Sequence, residues 1–118
     1  MFKLVVAGSR TFSDFNRLSA DLDHLLSQKS PNEIEIVSGG AAGADALAER
    51  YARSRGFAFR AFPADWRRWG KFAGPIRNRQ MAEYADALVV YWDGRSRGSA
   101  DIISSASAAG LRVVVRRF

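Results

Sequence analysis

Cysteine is absent from the sequence and histidine occurs once, at His24. No disulfide framework or thiolate metal site can be built, and one imidazole cannot form a cluster, so no metal is expected; no cofactor is expected either. Long apolar runs are missing too. The amino terminus, Met1 to Val6, opens a run too short to span a bilayer and without a basic leader. A cytoplasmic protein with no membrane partner is the expectation. No repeat or low-complexity tract divides the 118 residues, a length that suits one core, so residues 1–118 are expected to form a single domain.

Negative charge is the scarcer sign: 12 Asp and Glu stand against 18 Lys and Arg, for a formal charge of +6. Such a balance concentrates anions such as nucleotides or nucleic acid around the protein, or simply keeps it in solution. With 47% hydrophobic residues, the chain has ample side chain for a packed core.

Four apolar segments without helical period are predicted as strands buried on both faces: Phe2 to Ala7, Ile34 to Val37, Ala87 to Trp92 and Leu111 to Val115. A fifth, Phe57 to Phe62, alternates aromatic residues with Ala or Arg and suits an edge. Helical stripes separate them. Phe15, Leu18, Leu22, Leu25 and Leu26 fall on one face of a helix from about Asp14 to Gln28, with Ser13 placed to cap it. Leu47, Ala48, Tyr51 and Ala52 mark a second helix that stops at Gly56, and Ile76, Met81 and Ala85 a shorter third. Ile102, Ile103, Ala106 and Ala109 mark the fourth, closed by Gly110.

Alternating strands and helices of this kind fold as a parallel sheet with helices on both faces, because each crossover is right-handed. The expected fold is therefore an α/β, Rossmann-like domain with five strands in the order 3-2-1-4-5. Ligands of such sheets bind beyond the carboxyl ends of the strands where the winding reverses, here between the first and fourth strands.

Polar and small residues gather at those ends. Gly8-Ser9-Arg10 follows the first strand, where glycine permits close backbone approach and arginine can pair with phosphate through two hydrogen bonds. Ser38-Gly39-Gly40-Ala41-Ala42-Gly43-Ala44-Asp45 follows the second and opens a helix whose exposed N–H groups suit an anion. It matches neither the dinucleotide fingerprint nor a Walker loop, whose spacing and lysine it lacks. Asp45 is placed either to complement the helix dipole or to accept from a sugar hydroxyl. Between Pro63 and Gly74, Trp66, Trp69 and Phe72 interleave with Arg67, Arg68 and Lys71. These aromatics either stack a base, cover the sheet edge or meet a second subunit as a homodimer.

Arg77 and Arg79 lie early in the third helix and cannot share a face; Arg77 is expected in the ligand crevice and Arg79 outside it. After the fourth strand, Asp93-Gly94 leads through Arg95-Ser96-Arg97 to Gly98-Ser99, a second anion cradle on the far side of the same crevice.

The segments VAGSR, VSGGAAGADALAE, ADWRRWGKFAGPIRNRQMAEYADALVVYWDG and SRGSADII resemble the YspA-like branch of the SLOG superfamily over nearly the whole chain. That superfamily includes the DNA-processing protein DprA and the cytokinin-activating phosphoribohydrolases called LOG. The resemblance implies a Rossmann-like fold that binds nucleotide-derived ligands. DprA-like proteins, which bind single-stranded DNA, share features similar to Gly8-Ser9-Arg10, Ser38 to Asp45, Arg77 to Arg79 and Gly98-Ser99. LOG-like enzymes use an arginine matched by Arg77 and a PGG-x-GT-x-x-E motif. Here Gly98-Ser99 stands where Gly-Thr would, and Ile102 occupies the glutamate position with Asp101 adjacent. Arg77 and Asp101 are thus the catalytic candidates.

N-glycosidic cleavage needs carboxylates to stabilise an oxocarbenium-like sugar and activate water, whereas binding needs only cradles, arginines and a stacking surface. The sequence accordingly ranks binding or sensing of a phosphate-bearing nucleotide first. LOG-like N-glycoside hydrolysis comes second and DprA-like binding of single-stranded nucleic acid third.

Overall fold

The computed structural model describes residues 1–118. Its strands β1 (Phe2–Gly8), β2 (Ile34–Ser38), β3 (Ala58–Ala61), β4 (Ala87–Trp92) and β5 (Arg112–Arg117) form one sheet in the order β3-β2-β1-β4-β5. Every pairing is parallel. Helices α1 (Phe15–Leu25), α2 (Ala44–Arg55), α3 (Trp66–Trp69), α4 (Ala73–Tyr84) and α5 (Arg97–Ala108) fill the crossovers. The α/β class and the strand order are those the sequence predicts.

Successive strand residues point to opposite faces, so each central strand feeds two cores. Leu4 and Val6 of β1 join Ile34, Ile36, Val89 and Tyr91 beneath α1 and α2. Val5 and Ala7 join Val37, Leu88 and Val90 beneath Met81 of α4 and Ile102 and Ala106 of α5. Near-continuous apolar runs in β1 and β4 follow directly from this double burial.

Two buried tyrosines hold α1 in place, since Tyr51 Oη donates to Asp23 Oδ1 at 2.8 Å and Tyr91 Oη to Asp21 Oδ2 at 3.0 Å. The helix starts at Phe15 with Asp14, not Ser13, as its cap: the Asp14 carboxylate accepts from Arg17 N–H. It also ends at Leu25, short of Gln28.

β5 departs from expectation. It was expected to be buried on both faces, but it is an edge strand paired only with β4, and Val115 is exposed. Arg112, Arg116 and Arg117 flank its three valines, and such charges discourage pairing with another chain. The segment from Pro63 to Gly74, expected as a long link, contains α3 and a 3₁₀ turn, Gly70–Phe72, before α4 begins at Ala73.

Candidate functional site

The site grows from the point where β1 and β4 part. Ser9 N–H donates to the Tyr91 carbonyl at 2.8 Å, and Ser9 Oγ accepts from Asp93 N–H at 3.2 Å. The chain then leaves β1 for α1 on one face and β4 for α5 on the other, which opens a cleft of about 730 Å³ between them. That size lies within the ~300–1,000 Å³ of small-molecule sites.

Close backbone approach fixes the walls. A Cβ on Gly8 would overlap the Tyr91 carbonyl oxygen, and one on Gly43, where φ is +75°, would come within 2.6 Å of Arg10 Cα. Glycine at position 43 thus lets the loop after β2 press on the loop after β1. A Cβ on Gly39 would collide with the Arg77 guanidinium, whose Nη1 donates to the Gly39 carbonyl at 2.6 Å.

Gly8, Ser9, Arg10, Asp45, Trp66, Arg77, Asp93, Gly98, Ser99 and Asp101 all line the cleft. Ser38, Gly39, Gly40, Gly43, Arg79 and Gly94 do not. Ser38 Oγ instead braces its own loop, donating to the Asp45 carbonyl and accepting from Gly40 N–H. Arg79 is exposed away from the cleft, one helical step beyond the buried Asn78.

Each of the two expected anion cradles holds a carboxylate of the chain. At the start of α2 the loop serves the chain's own anion: Asp45 Oδ2 accepts from Ala41 N–H at 3.2 Å. Burial pushes the Asp45 carboxyl above its ordinary value, a shift opposed by that N–H and by the charges of Arg77 and Arg10. A phosphate here would meet a carboxylate already in place.

At the start of α5 Asp93 is likewise seated among N–H groups, and the first two of the helix stay unpaired. Asp93 Oδ1 accepts from the N–H groups of Arg95 and Ser96 at 2.8 Å each, and these bonds, Arg95 first, hold its carboxyl below its ordinary value. Ser96 caps the helix by accepting from Ser99 N–H, and the Trp92 indole donates to the Ser96 carbonyl. The N–H groups of Arg97 and Gly98 find no acceptor in the chain. Ser99 Oγ, on a residue only 3% exposed, also lacks a partner. Arg97, Gly98 and Ser99, which carry these three unpaired donors, all line the cleft at the positive end of a 12-residue helix.

Sequence reasoning missed Asn78, which lies between the two arginines it did consider. Asn78 is 5% exposed; its Oδ1 accepts from Arg77 Nε at 3.0 Å and its Nδ2 donates to Asp101 Oδ2 at 2.8 Å. Lys71 and Arg97, named from the sequence only as members of their segments, also line the cleft. Its ionic lining is then Arg10, Lys71, Arg77 and Arg97 against Asp45, Asp93 and Asp101. No cluster of three or more carboxylates and imidazoles offers a metal a ligand set.

A family model described as "YspA, cpYpsA-related SLOG family" matches residues 2–69, more than half of the chain. The chain belongs to that family. The Gene 61 protein of Mycobacterium phage D29 is 36% identical over 120 residues, covering 97% of this chain and 95% of that protein. Among solved structures, DNA processing protein A (DprA) of Streptococcus pneumoniae superposes with a TM-score of 0.70 at 27% identity, over 97% of this chain and 49% of its own. DprA of Helicobacter pylori, described with a single-stranded DNA binding mode, gives a TM-score of 0.69 at 20% identity, over 97% and 64%. This SLOG chain thus spans about half of the pneumococcal protein and under two thirds of the H. pylori one. Arg77, Asn78 and the start of α5 lie beyond the segment that the family model matches. No helix is long and apolar enough to cross a membrane.

Proposed function

We propose that the cleft binds a phosphate-bearing nucleotide or a nucleotide-derived ligand, with its phosphate at the start of α5 and under Arg77. Ser99 carries this reading. A buried hydroxyl without a partner costs about 1–3 kcal/mol, so its retention beside two free N–H groups fits an anion acceptor supplied from outside. Arg77 supports it from the opposite wall: Gly39 and Asn78 hold its guanidinium at the cleft, where a charge-assisted bond to phosphate is favoured. Membership of a SLOG family is in keeping with a nucleotide or nucleic-acid ligand. A mass spectrum of small molecules released by denaturing the purified protein tests the proposal, with a nucleotide or nucleotide fragment as the expected species.

Asp101 favours one second reading, hydrolysis of the N-glycosidic bond. It lines the cleft and is bridged by Asn78 to Arg77, whereas Ile102 is buried in the core. In such a reaction water adds across the C1′–N bond of a nucleoside monophosphate, releasing free base and ribose 5-phosphate. The carboxylate would stabilise the oxocarbenium-like sugar or activate the water. Chromatography of nucleotide incubated with the protein separates the two readings. Binding alone leaves the nucleotide intact; repeated turnover abolished by Asp101→Asn establishes the hydrolase.

A further inference from the structure

Three large aromatic side chains stand outside both cores on one short stretch. Trp66 is 56% exposed, Trp69 41% and Phe72 61%. Neither core cluster includes them. Exposed apolar surface gathered in this way marks an interaction site.

The stretch from Trp66 to Phe72 also holds Arg67, Arg68 and Lys71 and contains no carboxylate. Asp65, just before it, caps α3 by accepting from Arg68 N–H. The Arg68 guanidinium lies 4.7 Å from the centre of the Trp69 ring, and Lys71 Nζ lies 5.4 Å from that of Phe72. A cation against one face of a ring leaves the other face for a planar partner.

Trp66 and Lys71 line the cleft, so this strap is continuous with it. Trp69 and Phe72 do not, and a single nucleotide in the cleft leaves both rings unused. Rings and cations alternating over a few residues match bases and phosphates alternating along a strand. The bases must be unpaired, because a duplex hides their faces. Charge complementarity favours this polyanion over a second copy of a chain that carries a net +6 and would bring like charges together.

We propose that residues 66–72 extend the cleft into a site for single-stranded nucleic acid. Bases stack on Trp69 and Phe72, and backbone phosphates meet Arg67, Arg68 and Lys71. The inference rests on the nucleotide reading of the cleft, which would hold the adjoining unit of the strand.

The test compares the four deoxynucleoside 5′-monophosphates with a non-self-complementary octanucleotide, titrated into the full chain and followed by tryptophan fluorescence. The octanucleotide should bind about tenfold or more tightly than the best monophosphate, and Trp69→Ala and Phe72→Ala should each remove about tenfold of that affinity. Monophosphate binding should not change in either variant. If the strap cations neutralise three phosphates, the logarithm of affinity should fall against the logarithm of salt with a slope of about 2, and less steeply in Arg67→Ala/Arg68→Ala. Monophosphate binding with no octanucleotide advantage overturns the strap and leaves the cleft reading intact. Octanucleotide binding sensitive to both ring substitutions, without monophosphate binding, does the reverse. If the ring substitutions convert a dimer to a monomer and leave octanucleotide affinity unchanged, the strap is a subunit surface and the inference is wrong.

Discussion

Asn78 Nδ2 donates to Asp101 Oδ2 at 2.8 Å, a bond that ties α4 to α5 beside the cleft. Its Oδ1 accepts from Arg77 Nε, so one buried carboxamide orients a cation and an anion at once. Asn78→Ala removes both bonds, and a longer one from Nδ2 to the Gly98 carbonyl at 3.4 Å, without a replacement donor or acceptor. A loss of about 1–3 kcal/mol in folding stability is expected, read from urea denaturation. An unchanged midpoint would mean that neither bond persists in solution.

Arg77 and Arg79 should separate cleanly in ligand binding. By calorimetry, Arg77→Ala should weaken a nucleoside monophosphate by about 1.5–3 kcal/mol, the range for a hydrogen bond to a charged group. Arg79→Ala, at an exposed position outside the cleft, should change it by less than about 0.5 kcal/mol. The opposite order would move the phosphate off the Gly39 side of the cleft.

Ser99 should show a trade between stability and binding. Ser99→Ala deletes a buried hydroxyl that has no partner in the free protein, so folding stability should hold or rise by up to about 1 kcal/mol. Phosphate affinity should fall by about 1 kcal/mol or more over the same substitution. Loss of stability with intact affinity would make Ser99 a structural residue.

Asp45 sets a pH dependence whose sign follows from burial. Its folded-state pKa lies above the ordinary value of 3.8, so the folded protein holds the proton more tightly than the unfolded chain. Stability linked to Asp45 is therefore present below about pH 4 and lost as pH rises through the raised value. Asp45→Asn keeps an acceptor for Ala41 N–H and does not titrate. Its melting temperature relative to the parent should rise across that window and then level off. A relative fall would mean that attraction to Arg77 and Arg10 outweighs desolvation.

The sheet was legible because β1 and β4 are apolar on both faces, a pattern only a central parallel strand needs. Val113 to Val115 carry the same pattern over a shorter run, and the flanking arginines were the overlooked sign that β5 has one neighbour. Ser13 and Asp14 are both good capping residues in adjacent positions, so local sequence does not choose between them. The Gly-rich loop after β2 read as a phosphate cradle. Whether its N–H groups face solvent or the Asp45 carboxylate depends on a tertiary contact that no local pattern encodes. Helical phase separated Arg77 from Arg79, yet it did not reveal that Asn78 between them turns inward. One residue along a helix rotates the side chain by about 100°, and only contact with α5 fixes which of three consecutive polar residues is buried. The strap was visible as composition, but the exposure of Phe72 and the continuity of Trp66 and Lys71 with the cleft were not.

A ligand that binds only the folded state raises its stability by mass action, so thermal shift reads the cleft directly. Nucleoside monophosphates should raise the melting temperature, and the matching nucleosides, which lack only the phosphate, should do so far less. At about a hundredfold excess over the dissociation constant the gain should approach ~2.7 kcal/mol. Equal shifts from phosphorylated and unphosphorylated members of each pair would contradict a phosphate site at the start of α5.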